Sequence, residues 1–257
     1  MASAMVDGIL SQGLASPGEL TCLGGSGGTA QALAQRSGIV LAGSVDQLLA
    51  GADTVVIAFK PHHLSGLDRR MAASTEGKLI ISVLAGKRLQ SLWQAFPHAR
   101  GIVRCMPNTP SRIGAGVSGW CTDRPLSPGD RSLTEKILGA LGKALEIPEG
   151  QMDALTAVSG SGPAYVFEFI AALRDAGSAA GLEPAIAESL ALETVLGAAK
   201  LLAHRQIAPD TLRDEVTSPN GVTFAALNRL KAGDFRTLIR ETVAAGKARA
   251  HELSKDA

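Results

Sequence analysis

The run ADTVVIAFKP, residues 52–61, places four β-branched or aliphatic-rich positions, Thr54 to Ile57, between an aspartate and a Lys-Pro stop. An apolar run this short, bounded by polar and helix-breaking residues, reads as a strand of a parallel sheet. The same pattern recurs outward in both directions: LIISV at 79–83 and GIVRC at 101–105 downstream, LTCL at 20–23 and IVLA at 39–42 upstream. Between these runs, Gln31–Arg36, Val45–Leu49 and Leu89–Phe96 carry apolar residues at helical spacing and end near Gly or Pro. Alternating strand and helix specifies βα units, and five such strands predict an α/β, doubly wound, Rossmann-like parallel sheet.

After about residue 145 the strands vanish and alanine and leucine rise. The expected division is a dinucleotide-binding domain at 1–148 and an all-helical dimerisation and substrate domain at 149–257. Pro163 suits the first position of a helix on which Val166, Ile170 and Leu173 share a face. Pro184 opens a second helix, running to about His204 and apolar on nearly all sides, while Asp210 and Asp234 are expected N-caps of two more. A helical domain this small cannot cover such a helix alone, which implies a homodimer.

Composition narrows the function. Apolar residues make up 46% of the chain and charged residues 19%, with a net charge of +1 and 4% aromatics, so there is neither basic excess nor stacking surface for nucleic acid. The opening MASAMVDGIL lacks a cationic start, and the apolar stretch 184–203 contains Glu188, Glu193 and Lys200, so no membrane association is expected and the location is read as cytoplasmic. Cys22, Cys105 and Cys121 are odd in number and widely spaced, and the five histidines form no metal-ligand spacing.

Four stretches carry chemistry. In DEVTSPNGVTFAALNRL (214–230), Pro219, Asn220 and Gly221 build a turn that feeds a helix near Val222, aiming the Ser218 and Thr223 hydroxyls and the first free amides at one point suited to an anion. In AVSGSGPAYVF (157–167), small residues precede Pro163 and admit close approach. VRCMPNTP (103–110) ends a strand in a doubly proline-braced turn holding Asn108. Finally, Ala58, Lys60 and Pro61 follow one strand, and Ser82 leads into Leu84-Ala85-Gly86 on the next, at the carboxyl edge where this fold binds ligands.

In this order and at these separations, with SGSGPAY and TSPNGVT the most specific, the stretches resemble the pyrroline-5-carboxylate reductase family over nearly the whole chain. The resemblance implies reduction of the cyclic imine pyrroline-5-carboxylate to proline with NADPH, or NADH, by a homodimer that assembles into a larger ring of dimers. It also implies that Ser218, Gly221, Val222 and Thr223 hold the substrate, with Thr223 catalytic at the ring nitrogen, and that Glu149 lies near substrate. Lys60, Pro61, Ala85, Gly86 and Asn108 are implied on the nicotinamide side, and Ala58 and Ser82, at the same strand ends, are expected to bind the cofactor. Leu84 and Asn220 depart from the family's usual alanine and glycine.

In the family's register Met1 falls at the end of the glycine turn that cradles pyrophosphate, so the sheet lacks its first, central strand. That strand is expected upstream of Met1; the alternative expectation is a truncated, weakly active or inactive homologue acting as a dimeric binding protein. Gly25-Ser26-Gly27-Gly28-Thr29-Ala30 matches GxGxxA but falls after the second strand, where Gly25 and Ser26 would meet the adenosine ribose and its phosphate. No acidic residue stands there, which favours NADP; Arg36 is a distant candidate for the phosphate.

Overall fold

The computed structural model describes residues 1–25, 27–67 and 70–255. Strands β1 (Thr21–Cys22), β2 (Val40–Leu41), β3 (Thr54–Ile57), β4 (Leu79–Ser82) and β5 (Gly101–Met106) fall where the apolar runs place them. Two strands escape that reading, β6 (Gly116–Cys121) and β7 (Gly142–Glu146). The sheet is accordingly mixed: β6 runs antiparallel to β5, whereas the other neighbouring pairs are parallel. The helices are α1 (Ala2–Ser11), α2 (Thr29–Ser37), α3 (Val45–Leu49), α4 (Arg70–Ser74), α5 (Leu89–Ala95), α6 (Pro128–Gly139), α7 (Met152–Leu155), α8 (Gly162–Ala179), α9 (Pro184–Arg205), α10 (Pro209–Glu215), α11 (Val222–Ala232) and α12 (Phe235–Lys255).

Among the described residues the sheet comes in two pieces, β1–β2 and β3–β4–β5–β6–β7, with no pairing between them. Alternation along β3 to β6 sorts side chains to the two faces. Val55, Ile57, Ile80, Ile102 and Cys121 pack with Leu89, Leu92 and Phe96, whereas Leu79, Ile81, Val103, Cys105 and Trp120 pack with Ala4, Met5 and Ile9 of α1 and Ile137 and Leu138 of α6. Burial pushes the free thiols of Cys105 and Cys121 up to about 12. They sit on opposite faces as inert core groups.

At the amino edge of the sheet, Arg100 ties three elements together. Its Nη1 donates to the carbonyls of Asp53 (2.9 Å) and Gly77 (2.7 Å), and its Nε and Nη2 donate to Asp130 in the first turn of α6. Hydrogen bonding by Arg100, then by Ser127, holds the Asp130 carboxyl below its ordinary value of 3.8. A lowered carboxyl stabilises the fold above that value and loses the contribution as pH falls through the folded one. Asp130→Asn is therefore expected to cost about 1–3 kcal/mol near neutrality, a difference that shrinks below about pH 4. Denaturant titrations of both proteins across that range check it.

Two compact units emerge, Met1–Ser161 with Gly246–Ala257, and Gly162–Ala245. The division differs from the expected 148/149 because the segment from Glu149 packs onto the sheet: Met152 joins the core beneath α5, and Gly119 has no room for a Cβ beside Leu155. The last turns of α12 also belong to the first unit. Within the second unit, α8 and α9 pair closely, Gly177 lying against Ala187, and Ala187 and Ala191 are buried. Large apolar side chains remain on the outer faces, among them Phe167 at 63%, Leu190 at 51% and Leu238 at 58% exposure. So much exposed apolar surface calls for a partner. Ala208 rather than Asp210 caps α10, because Pro209 takes its first position. Among the described residues no helix is long and apolar enough to cross a membrane.

Candidate active site

Parallel pairing sets Ile57, Ser82 and Arg104 abreast, so the segments after β3, β4 and β5 leave the sheet at one edge. After β3, Lys60 is exposed and Pro61 opens a 3₁₀ turn, with Ala58 half-buried behind them. After β4, Ala85 is exposed and Gly86 takes a φ of +77°, a conformation that side chains resist. After β1, Gly25 is exposed, and a Cβ on Gly25, Gly27 or Gly28 would meet nothing within 4 Å, so that turn also faces open space. Ser26 lies outside the described residues. Arg36 is not free for a phosphate: its Nη2 pairs with Asp7 of α1 at 2.8 Å.

Three residues expected to meet ligand are also bonded into the scaffold. Ser82 is 1% exposed, and its hydroxyl accepts from the Leu84 N–H at 3.3 Å, shaping the β4 turn. Asn108 is 8% exposed and spends both ends of its amide: Oδ1 accepts from Val117 N–H (3.0 Å) and Nδ2 donates to the Ser159 carbonyl (3.2 Å). That carbonyl is the one that Pro163, lacking an N–H, cannot serve four residues on. The chain there forms a π-helical turn, Thr156–Gly160, closed by Ser161 N–H to Thr156 O at 2.9 Å. Such turns gather at functional sites. Gly160 admits the Met106 methyl, which a Cβ would meet at 3.1 Å.

Glu149 is the third. Its Oε1 accepts from the Leu89 N–H of α5 (2.7 Å) and from Arg104 Nη1 (3.0 Å), whose side chain is only 6% exposed. A guanidinium so buried needs its counter-charge, and the free first amides of α5 favour a carboxylate. The sequence carried one overlooked signal of this pair, an arginine inside the otherwise apolar GIVRCM strand.

In the second unit, Asn220 takes a φ of +58° and Gly221 N-caps α11 with no side chain satisfying the first amides. The turn closes through Gly221 N–H to Ser218 O at 3.1 Å. A Cβ on Gly221 would collide with the Ser218 hydroxyl, so glycine here lets that hydroxyl fold over the helix start. Val222 is 90% exposed, and Thr223, half-buried, has no hydrogen-bond partner among the described residues. Ser218 and Gly221 thus meet at the start of α11, with Val222 and Thr223 in its first turn, where the first N–H groups lack a side-chain cap at a positive helix end. Among the described residues no cluster of His, Cys, Asp and Glu would hold a metal ion.

Residues 149–253 match the family described as pyrroline-5-carboxylate reductase dimerisation, and residues 1–86 match one described as coenzyme F420-dependent NADP oxidoreductase. The chain is 42% identical to a pyrroline-5-carboxylate reductase of Synechocystis sp. over 79% of its length and 76% of the relative's. It is 36% identical to that of Pseudomonas aeruginosa over 99% of its length and 94% of the relative's. Among solved structures, a pyrroline-5-carboxylate reductase from Coxiella burnetii superposes with a TM-score of 0.92 at 32% identity, covering 98% of this chain and 94% of that one. One from Plasmodium falciparum with NADP bound does so at 0.85 and 28%, with the same coverage.

Proposed function

The chain belongs to the pyrroline-5-carboxylate reductase family, and we propose that it reduces 1-pyrroline-5-carboxylate to proline with a hydride from NADPH. The turn before α11 is the observation that carries this. Its unpaired amides and the Ser218 hydroxyl suit a carboxylate, and Thr223 Oγ1, without a partner among the described residues, suits a ring nitrogen beside it. In this reading Thr223 holds the nitrogen or relays a proton to it. A protonated imine is already electrophilic, so neither a metal nor a strong acid is needed.

The edge of the first unit fits a dinucleotide. Ala58, Lys60, Pro61, Ala85 and Gly86 would hold its nicotinamide half, and the open turn with Gly25 its adenosine end, where no carboxylate of Leu23, Gly24 or Gly25 opposes a 2′-phosphate. When bound, the cofactor supplies the hydride. Ser82, Asn108 and Glu149 fix the three segments that present these groups. We further propose a homodimer built through the helical unit, a ring of such dimers, and a cytoplasmic location.

The test follows NADPH absorbance and proline formation on adding pyrroline-5-carboxylate. Imine-dependent oxidation with one proline per NADPH is expected. Turnover of a β-hydroxy acid, with none of the imine, would overturn the assignment.

A further inference from the structure

The turn after β4 is gripped by the far end of the chain. Arg88 is the N-cap of α5 and directly follows the turn Leu84-Ala85-Gly86-Lys87. Its Nη2 donates to Ser254 Oγ at 3.0 Å, in the last turn of α12. Ser254 is 4% exposed, and its own proton goes to the His251 carbonyl at 2.8 Å, leaving its lone pairs for the guanidinium. A cation at the carboxyl end of a helix also meets the negative end of its dipole.

Three further contacts fix the same placement. A Cβ on Gly86 would lie 3.0 Å from the Leu253 carbonyl, so the glycine backbone and the α12 terminus are already in contact. His251 Nδ1 stands 3.2 Å from Asp153 Oδ2 on α7, and Arg88 Nη2 lies 3.4 Å from the same nitrogen. The last turn of α12 therefore touches both the β4 turn and the helix leading into the π-helical turn. Lone surface ion pairs contribute little, but Ser254 is buried and its bond to Arg88 is charge-assisted.

We infer that Arg88 is a positioning residue that clips the C-terminal turn of α12 onto the β4 turn and so sets the affinity for the nicotinamide half of the cofactor. The inference rests on the proposed NADPH-dependent reaction for its ligand. Arg88 touches neither substrate nor cofactor; it acts through the backbone of Ala85 and Gly86. Loss of the clip loosens a surface that the cofactor must otherwise find ordered, and the cost falls on cofactor binding.

The experiment uses the full chain and the variants Arg88→Ala, Arg88→Lys, Ser254→Ala and Ser254→Thr. Arg88→Ala and Ser254→Ala are expected to raise KM for NADPH about five- to tenfold, with kcat and KM for the imine within about twofold of wild type. Ser254→Thr, which keeps the hydroxyl, is expected to restore most of the loss. Direct NADPH titration of each variant gives the same ranking without turnover, so a wild type that binds NADPH but fails to reduce the imine sinks the reaction while still testing the clip. Unchanged NADPH affinity in both alanine variants, an equal rise in the imine KM, or a wild type that binds no NADPH overturns the inference. Ser254→Ala leaves the β4 turn and α5 untouched in sequence, which keeps the test valid should Arg88→Ala fold poorly.

Discussion

Thr223→Ala is expected to lower kcat/KM for pyrroline-5-carboxylate about 10²-fold, with NADPH affinity and thermal stability unchanged. Stability should hold because the hydroxyl is half-buried and bonds no other described residue, so its removal strands nothing. The size of the loss separates two roles. A hydroxyl that merely orients a neutral ring contributes a single hydrogen bond, about three- to tenfold, whereas positioned proton transfer contributes about 10²–10⁴-fold. Thr223→Ser keeps the hydroxyl and should stay within about threefold of wild type, and Thr223→Val, which keeps the shape, should fall with alanine. Steady-state kinetics on the three variants decide it, and an alanine variant with wild-type kcat/KM removes Thr223 from the chemistry.

The strands that were legible in the sequence are those whose apolar run persists unbroken, whether fully buried like β4 or exposed like β2. β6 and β7 were not: GVSGWC interrupts its pattern with Ser and Gly, and GKALE, largely half-buried or exposed, carries two charges in five residues. The turn before α11 was legible because it is local; Pro219, Asn220 and Gly221 encode its φ values wherever the rest of the chain lies. The partners of Ser82, Asn108 and Glu149 were not, since each choice between ligand and scaffold depends on a group far along the chain. Asn108 meets Ser159, Glu149 meets Leu89 and Arg104, and Arg88 meets Ser254. Polar residues beside a ligand edge look alike in sequence whether they face the ligand or hold what faces it.

Glu149 makes that ambiguity measurable. If its main work is to neutralise Arg104 and receive the Leu89 N–H, then Glu149→Ala buries an unpaired guanidinium and should cost about 3–5 kcal/mol, a large share of a domain's usual 5–15. Glu149→Gln keeps an acceptor for both donors and gives up only the charge, so a loss of about 1–2 kcal/mol is expected. If instead the carboxylate binds substrate, as the family resemblance implies, the glutamine variant should keep its stability and show a raised imine KM. The geometry favours the first outcome, since both recorded donors converge on Oε1 and neither comes from a site open to solvent: Arg104 is 5% and Leu89 1% exposed. Pairing Glu149→Ala with Arg104→Met sharpens the test. Removing both charges leaves nothing stranded, so the double variant should regain much of the stability lost by Glu149→Ala alone. No such recovery is expected if the glutamate acts on the substrate.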